Sequence, residues 1–303
     1  MSTKPKSGLY FFNLILFIAI SGFIAFHMIS LGASYKKEMV RYVEILNFEQ
    51  RLLNAKEWAL GEWEAKDRRE LAQEHLDNAN EYLELSNWHS TVFGLFCFLF
   101  LIVGWMVFRN HTVASQFNSI SLVVVSAMCL IVGISLPMLE IGAYSHDLTI
   151  PLKWTDPVFG YKLDMSKTFQ GDMYYYYQNK SIVELIGILF KSGNALVAIA
   201  IMSFSIIMPV IKLILSLVML SHADIRKKKF LRKLIGKIGK WSMADVFVAA
   251  CFLAYLSFYN MNTGISTEAN TLPGLYFFLA YCVLSIISSM YLEKAVEKEL
   301  ETA

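Results

Sequence analysis

The sequence predicts an all-α polytopic membrane protein with six transmembrane helices and a small extracytoplasmic β-sheet between spans three and four. Composition is the first sign: of 303 residues, 56% are apolar and only 17% charged, with a mean hydropathy of +0.47. Grouping is the second, since the apolar residues fall in blocks at 9–31, 90–108, 119–139, 194–220, 243–259 and 273–291. Most approach or exceed the roughly 20 residues that a helix needs to cross a bilayer. The third is a change of texture at 140–180, where "DLTIPLKW", "VFGYKLDM" and "DMYYYYQ" are rich in β-branched and aromatic residues and broken by Pro, Gly and Asp.

The first block follows two lysines, but its apolar run exceeds a secretory core and "HMISLGASYKKE" is a weak cleavage signal, so it reads as a retained anchor. With the second block it forms a hairpin, residues 1–110, around an extracytoplasmic insert at 32–89. Within the insert, Met39, Val43, Leu46, Leu53 and Leu60 follow helical spacing, as do Ala72, Leu76, Ala79 and Leu83. "GEWEAKDRRE" between them is expected to be the turn. The insert is either a solvated hairpin packed on its own protein or a docking stalk for a partner. It is expected to be dispensable for membrane insertion but needed to recruit that partner.

Residues 111–303 then form a four-span module. "SIVELIGILFKSGN" is a short amphipathic helix ended by Gly193, leading into span four. The link 221–242 carries Arg226, Lys227, Lys228, Lys229, Arg232, Lys233, Lys237 and Lys240 against the single acid Asp224. Ile225, Phe230, Leu231, Leu234, Ile235 and Ile238 recur among them at helical spacing, which describes an interfacial helix with its cations towards phospholipid headgroups. Lys4, Lys6, Arg109, Lys294 and Lys298 fall on the same side as this link, so the positive-inside rule places both termini in the cytoplasm. The eight basic residues of the insert are outnumbered by twelve acids, and its length weakens their vote.

Two charges interrupt the apolar blocks. Lys212 lies well inside span four and Asp245 just inside span five, and a charge in hydrocarbon costs several kcal/mol unless it is paired. Lys212 is nine residues from Ser221, about 13 Å along a helix, and Asp245 five from Lys240, about 8 Å, so a lysine reaching down meets the carboxylate between adjacent antiparallel helices. Ser205, Pro209, Lys212 and Ser216 share one stripe, and Pro209 lacks the donor that would have bonded the carbonyl of Ser205. The pair is either a lock between two helices or a switch that alternates between two arrangements. Cys97, Cys129, Cys251 and Cys282 lie alone in separate spans and read as small packing residues. There is no zinc-ligand spacing, P-loop or nucleophile elbow, so no metal, cofactor, nucleic-acid partner or enzymatic activity is expected.

"LPMLEI" (136–141), "SIVELIGILFKSGNALVAIAIMSFSIIMPVIKL" (181–213) and "IGKWSMADVFVAA" (238–250) resemble, in that order, the paraquat-inducible protein A family. The resemblance covers about residues 112–292 and implies an inner-membrane four-span module working beside periplasmic tunnel proteins built of mammalian-cell-entry (MCE) domains, in lipid transport between two membranes. By motif position it carries the family's polar residues onto Pro209, Lys212, Trp241, Ser242 and Asp245. Many members hold two such modules in tandem and cysteine-rich zinc ribbons. This chain holds one module, with an anchored hairpin in front.

Overall fold

A computed structural model describes residues 7–60, 62–108, 114–155, 162–221, 250 and 265–301. Five of its helices contain a segment long and apolar enough to cross a membrane: Tyr10–Ile45, Lys66–Val107, Phe117–Ser135, Ala195–Ser221 and Pro273–Tyr291. The sixth expected span, 243–259, lies outside the described residues apart from Ala250, as does the basic link from residue 222 onward.

The hairpin departs from expectation. Helix α1 (Ser7–Ile45) runs unbroken for 39 residues, about 58 Å, roughly twice the hydrocarbon thickness. Helix α4 (Glu62–Phe108) returns beside it. The insert's helices are therefore extensions of spans one and two. The turn is also earlier than expected, because "GEWEAKDRRE" contributes nine residues to α4 and only Gly61 precedes it. Between the rods stand two short helices, α2 (Phe48–Leu52) and α3 (Ala55–Leu60). Asn47 Oδ1 accepts from the backbone of Glu49 and Gln50 at 3.0 and 3.3 Å, and Asn54 Oδ1 from Lys56 at 3.0 Å. Asparagine favours such caps over a helix interior, so the period through Met39 and Val43 stops at Leu46, and Leu53 is 82% exposed. The other repeat holds: Ala72 and Ala79 are buried against Met39, Tyr42 and Val43.

Helix α5 (Ala114–Ser135) leads through Pro137 into the sheet. Strand β1 (Leu139–Thr155) pairs antiparallel with β2 (Lys162–Lys180) from Leu139↔Lys180 to Thr155↔Lys162. In chain order those two strands follow α5 and precede the apolar segment Ala195–Ser221. A third does not: β3 (Ser266–Thr271), immediately before the last helix, covers the other edge of β1 over Leu139–Tyr144. After β2, helix α6 (Ile182–Lys191) opens with a full capping box, in which Ser181 Oγ accepts from Glu184 N and Glu184 Oε2 from Ser181 N, both at 3.2 Å. Gly193, at φ +80°, ends that segment in the left-handed region a glycine tolerates. Helices α7 (Ala195–Met202) and α8 (Met208–Ser221) then make one span through a single π turn, and α9 (Pro273–Glu301) is the last.

The membrane core centres on α5 and α9, which touch backbone to backbone. A Cβ at Gly133 would stand 2.6 Å from the amide nitrogen of Phe278, and one at Gly274 2.4 Å from the carbonyl oxygen of Leu136. Lipid supplies little hydrophobic force between helices, so such small-residue contacts carry much of the association.

Candidate functional site

Span four is built around Lys212, the only charged side chain in Ala195–Ser221. Pro209 sets the local geometry. It cannot donate a backbone hydrogen bond, and its ring crowds the carbonyl four residues back. The chain accommodates this by widening: Ser203–Ile207 form a π turn, and Met208 N–H bonds the carbonyl of Ser203, five residues behind. Such turns are frequent at functional sites because they re-aim side chains without ending the helix.

The stripe expected from spacing is present and inward-facing. Ser205, Pro209, Lys212 and Ser216 are all buried, Lys212 at 6% exposure. Lys212 Nζ donates to the carbonyl of Ser285 on α9 at 3.2 Å, and the same carbonyl accepts from Ser289 Oγ at 3.0 Å. Ser285 and Ser288 are buried as well, so both helices contribute buried serines to this part of the bundle. Among the described residues no carboxylate pairs with Lys212. Its expected partner Asp245 lies outside them, with Trp241, Ser242 and the headgroup residues Arg226, Lys227, Lys228, Lys229, Arg232, Lys233, Lys237 and Lys240. A buried amine has two states, a cation that needs a counter-charge and a neutral base that does not.

The spans also leave room for hydrocarbon. A cleft of about 370 Å³ lies between α1 and α4, lined by Leu16, Phe17, Phe96 and Phe100 and edged by Tyr10 and Ser121. At its polar edge Tyr10 hydroxyl donates to the carbonyl of Phe117 at 2.9 Å and lies 3.1 Å from Ser121 Oγ.

Two groups beyond the spans escaped the sequence reading. Glu140, on the central strand, is 6% exposed, and Tyr35 of α1 donates its hydroxyl to Glu140 Oε2. Burial raises the carboxyl's pKa above its usual value, the Tyr35 and Tyr177 hydroxyls pull it back, and Glu268 on β3 adds to the rise. Glu140 falls inside the "LPMLEI" motif, but its role depends on a tyrosine 105 residues away.

The second group is Arg51, 1% exposed in the turn between the rods. Its Nε and Nη2 donate to Glu57 Oε1 at 2.9 and 2.6 Å. Nη1 donates to the carbonyl of Asp172 at 2.8 Å, and Nη2 to that of Gln170 at 2.9 Å. The backbone joins in, with Tyr174 N–H donating to the carbonyl of Leu46 at 2.9 Å. The insert is thus fastened to β2 at its tip and to β1 at its base. Of its two sequence readings, these contacts match the hairpin packed on its own protein.

Comparison with known proteins places the C-terminal part of the chain. No curated protein and no solved structure matches it. Residues 169–296, from late β2 through span four to α9 and including the stripe around Lys212, match the family model described as paraquat-inducible protein A. Over that segment, which is less than half of its length, the chain is similar to the paraquat-inducible protein A family.

Proposed function

We propose that the chain is a multi-pass component of the bacterial inner membrane that passes phospholipid between that membrane and a periplasmic MCE-type partner. The observation that carries the reading is Lys212, a lone buried amine beside a π turn within the family segment. Ionisable groups facing a bundle interior often mark substrate and proton paths. Both termini and the link 221–242 lie in the cytoplasm in this scheme. The basic residues of the link gather headgroups, and Lys212 with Asp245, flanked by Trp241 and Ser242, alternates between a paired and a separated arrangement. The hydrocarbon cleft between α1 and α4 gives a chain of the lipid somewhere to lie. No catalytic step is assigned. The alternative, a non-transporting scaffold or envelope-stress sensor, leaves the buried amine without a task.

The test is purification of the full chain in mild detergent, with mass spectrometry of the lipids and proteins that accompany it. The proposal expects glycerophospholipid in near-stoichiometric amount together with an MCE-domain protein. Recovery of neither overturns it.

A further inference from the structure

A second polar site lies where α1 leaves its apolar run and α5 gives way to the sheet. A cleft of about 230 Å³ there is lined by Ile29, Gly32 and Lys36 of α1, Pro137, and Ser181 and Glu184 at the start of α6. Its walls grade from apolar (Ile29, Pro137) to charged (Lys36, Glu184), which is the order of groups met on passing from acyl chain to headgroup. Helix α6 continues that gradient, since Val183, Ile188 and Phe190 are exposed at 49%, 38% and 44%.

The charges do not balance. Glu184 is already committed: Oε2 accepts from Ser181 N within the capping box, and Oε1 holds Lys36 Nζ at 2.5 Å. Lys180, the last residue of β2 and the neighbour of Ser181, lies beside Lys36 and, among the described residues, has no ion-pair partner of its own. Burial and the neighbouring Lys36 cation hold its ammonium below the usual lysine range, with Glu184 only partly offsetting them. Two cations therefore share one carboxylate, and the cluster carries a net positive charge in want of an anion.

We propose that Lys36 and Lys180 hold the phosphodiester of a glycerophospholipid at this interface, its glycerol and upper acyl carbons resting against Ile29, Gly32 and Pro137. A phosphodiester supplies the missing charge and accepts from both ammonium groups, while the apolar floor of the cleft selects a lipid over a free anion. Lys36 comes from the N-terminal hairpin and Lys180 from the family segment, so the site exists only where the two parts meet. The inference rests on the lipid-handling reading for its place in a transfer path, but binding is measured apart from transfer.

The experiment uses the full chain in mild detergent, with short-chain phosphatidylethanolamine and phosphatidylglycerol as probes and native mass spectrometry as readout. Lys180→Gln leaves the Lys36–Glu184 pair intact and is expected to weaken phospholipid binding about tenfold, the order expected of one charge-assisted hydrogen bond. Lys180→Arg should retain binding, and Lys191→Gln, at the exposed far end of α6, should match the wild type. Short-chain diacylglycerol, which lacks the phosphate, should bind about tenfold more weakly than either phospholipid by the same reasoning. Undiminished binding by Lys180→Gln when Lys180→Arg also binds, or equal binding of diacylglycerol, overturns the site. Equal competition by inorganic phosphate or glycerophosphate makes it a soluble-anion site and overturns the lipid assignment. Phospholipid bound here without any transfer between membranes would leave the site standing and sink the transport reading alone.

Discussion

Replacing Arg51 by Met removes four hydrogen bonds at once, two to Glu57 and one each to the carbonyls of Asp172 and Gln170. The methionine fills much of the volume, so the loss is electrostatic. Glu57, itself 2% exposed, keeps among the described residues only Arg68, whose Nε is 3.6 Å from Oε2. Breaking one side of a buried ion pair costs about 3–5 kcal/mol, because the surviving charge stays buried without its partner. That is a large share of the roughly 5–15 kcal/mol that holds a typical domain together. The cost falls on the tip, where the turn meets β2, and not on the spans. Hydrogen exchange of the purified protein should therefore quicken at 46–60 and 168–175 while the amides of α5 and α9 stay protected. Arg51→Met/Glu57→Gln strands no charge and should recover most of the protection. If exchange at the tip is unchanged in the single variant, or if the double variant is no better, the buried pair is not what fastens the turn.

Other perturbations probe the remaining contacts. Gly133→Ala and Gly274→Ala should each lower thermal stability, by about 1–3 kcal/mol as overpacking, whereas Gly22→Ala, which meets nothing within 4 Å, should be neutral. Glu140 should make stability depend on pH. Its folded-state pKa is raised, so the stability from its protonated form is full below the unfolded value of about 4.5 and is lost as pH rises through the folded value. Glu140→Gln stays neutral throughout, so the difference in melting temperature from the wild type should change over that interval and be flat above it; a difference constant at every pH refutes the assignment. Deleting 36–86 behind a short linker should insert into the membrane but leave the sheet poorly packed, because it uncovers Tyr174 and removes the contacts to β2. Native-like protease resistance of 139–180 in that variant would restore the separable insert.

What the sequence revealed depended on how local each cause was. The apolar blocks were legible because a bilayer demands long uninterrupted runs, and all five described spans fall on predicted ones. The start of α6 was legible too, since Ser181 and Glu184 are three residues apart and cap each other. Strand β3 was not: "STEANT" has neither alternation nor β-branched enrichment beyond its threonines, and becomes a strand because the edge of β1 needs a partner. The turn lies earlier than "GEWEAKDRRE" because the Glu, Ala, Lys and Arg of that charged run are good helix formers, while Asn47 and Asn54 carry the stop signals. The burial of Arg51 and Glu57 was not legible, since nothing nearby in sequence announces that β2 closes over them. At the candidate site, spacing alone placed Ser205, Pro209, Lys212 and Ser216 on one buried face. The acceptor at Ser285, 73 residues away, was beyond its reach.

The central claim, that the buried amine of span four works with Asp245 as a switch, is tested most directly by four strains: wild type, Lys212→Met, Asp245→Asn and the double variant. Removing either charge alone should impair the protein, since the remaining one is stranded or forced neutral at a cost of several kcal/mol. The double variant strands nothing and should recover the wild-type amount in the membrane. The decisive measurement is envelope permeability in a cell that depends on this protein, taken at matched protein levels. The account predicts that the double variant stays as leaky as the deletion strain, and a double variant that restores the wild-type barrier would contradict it.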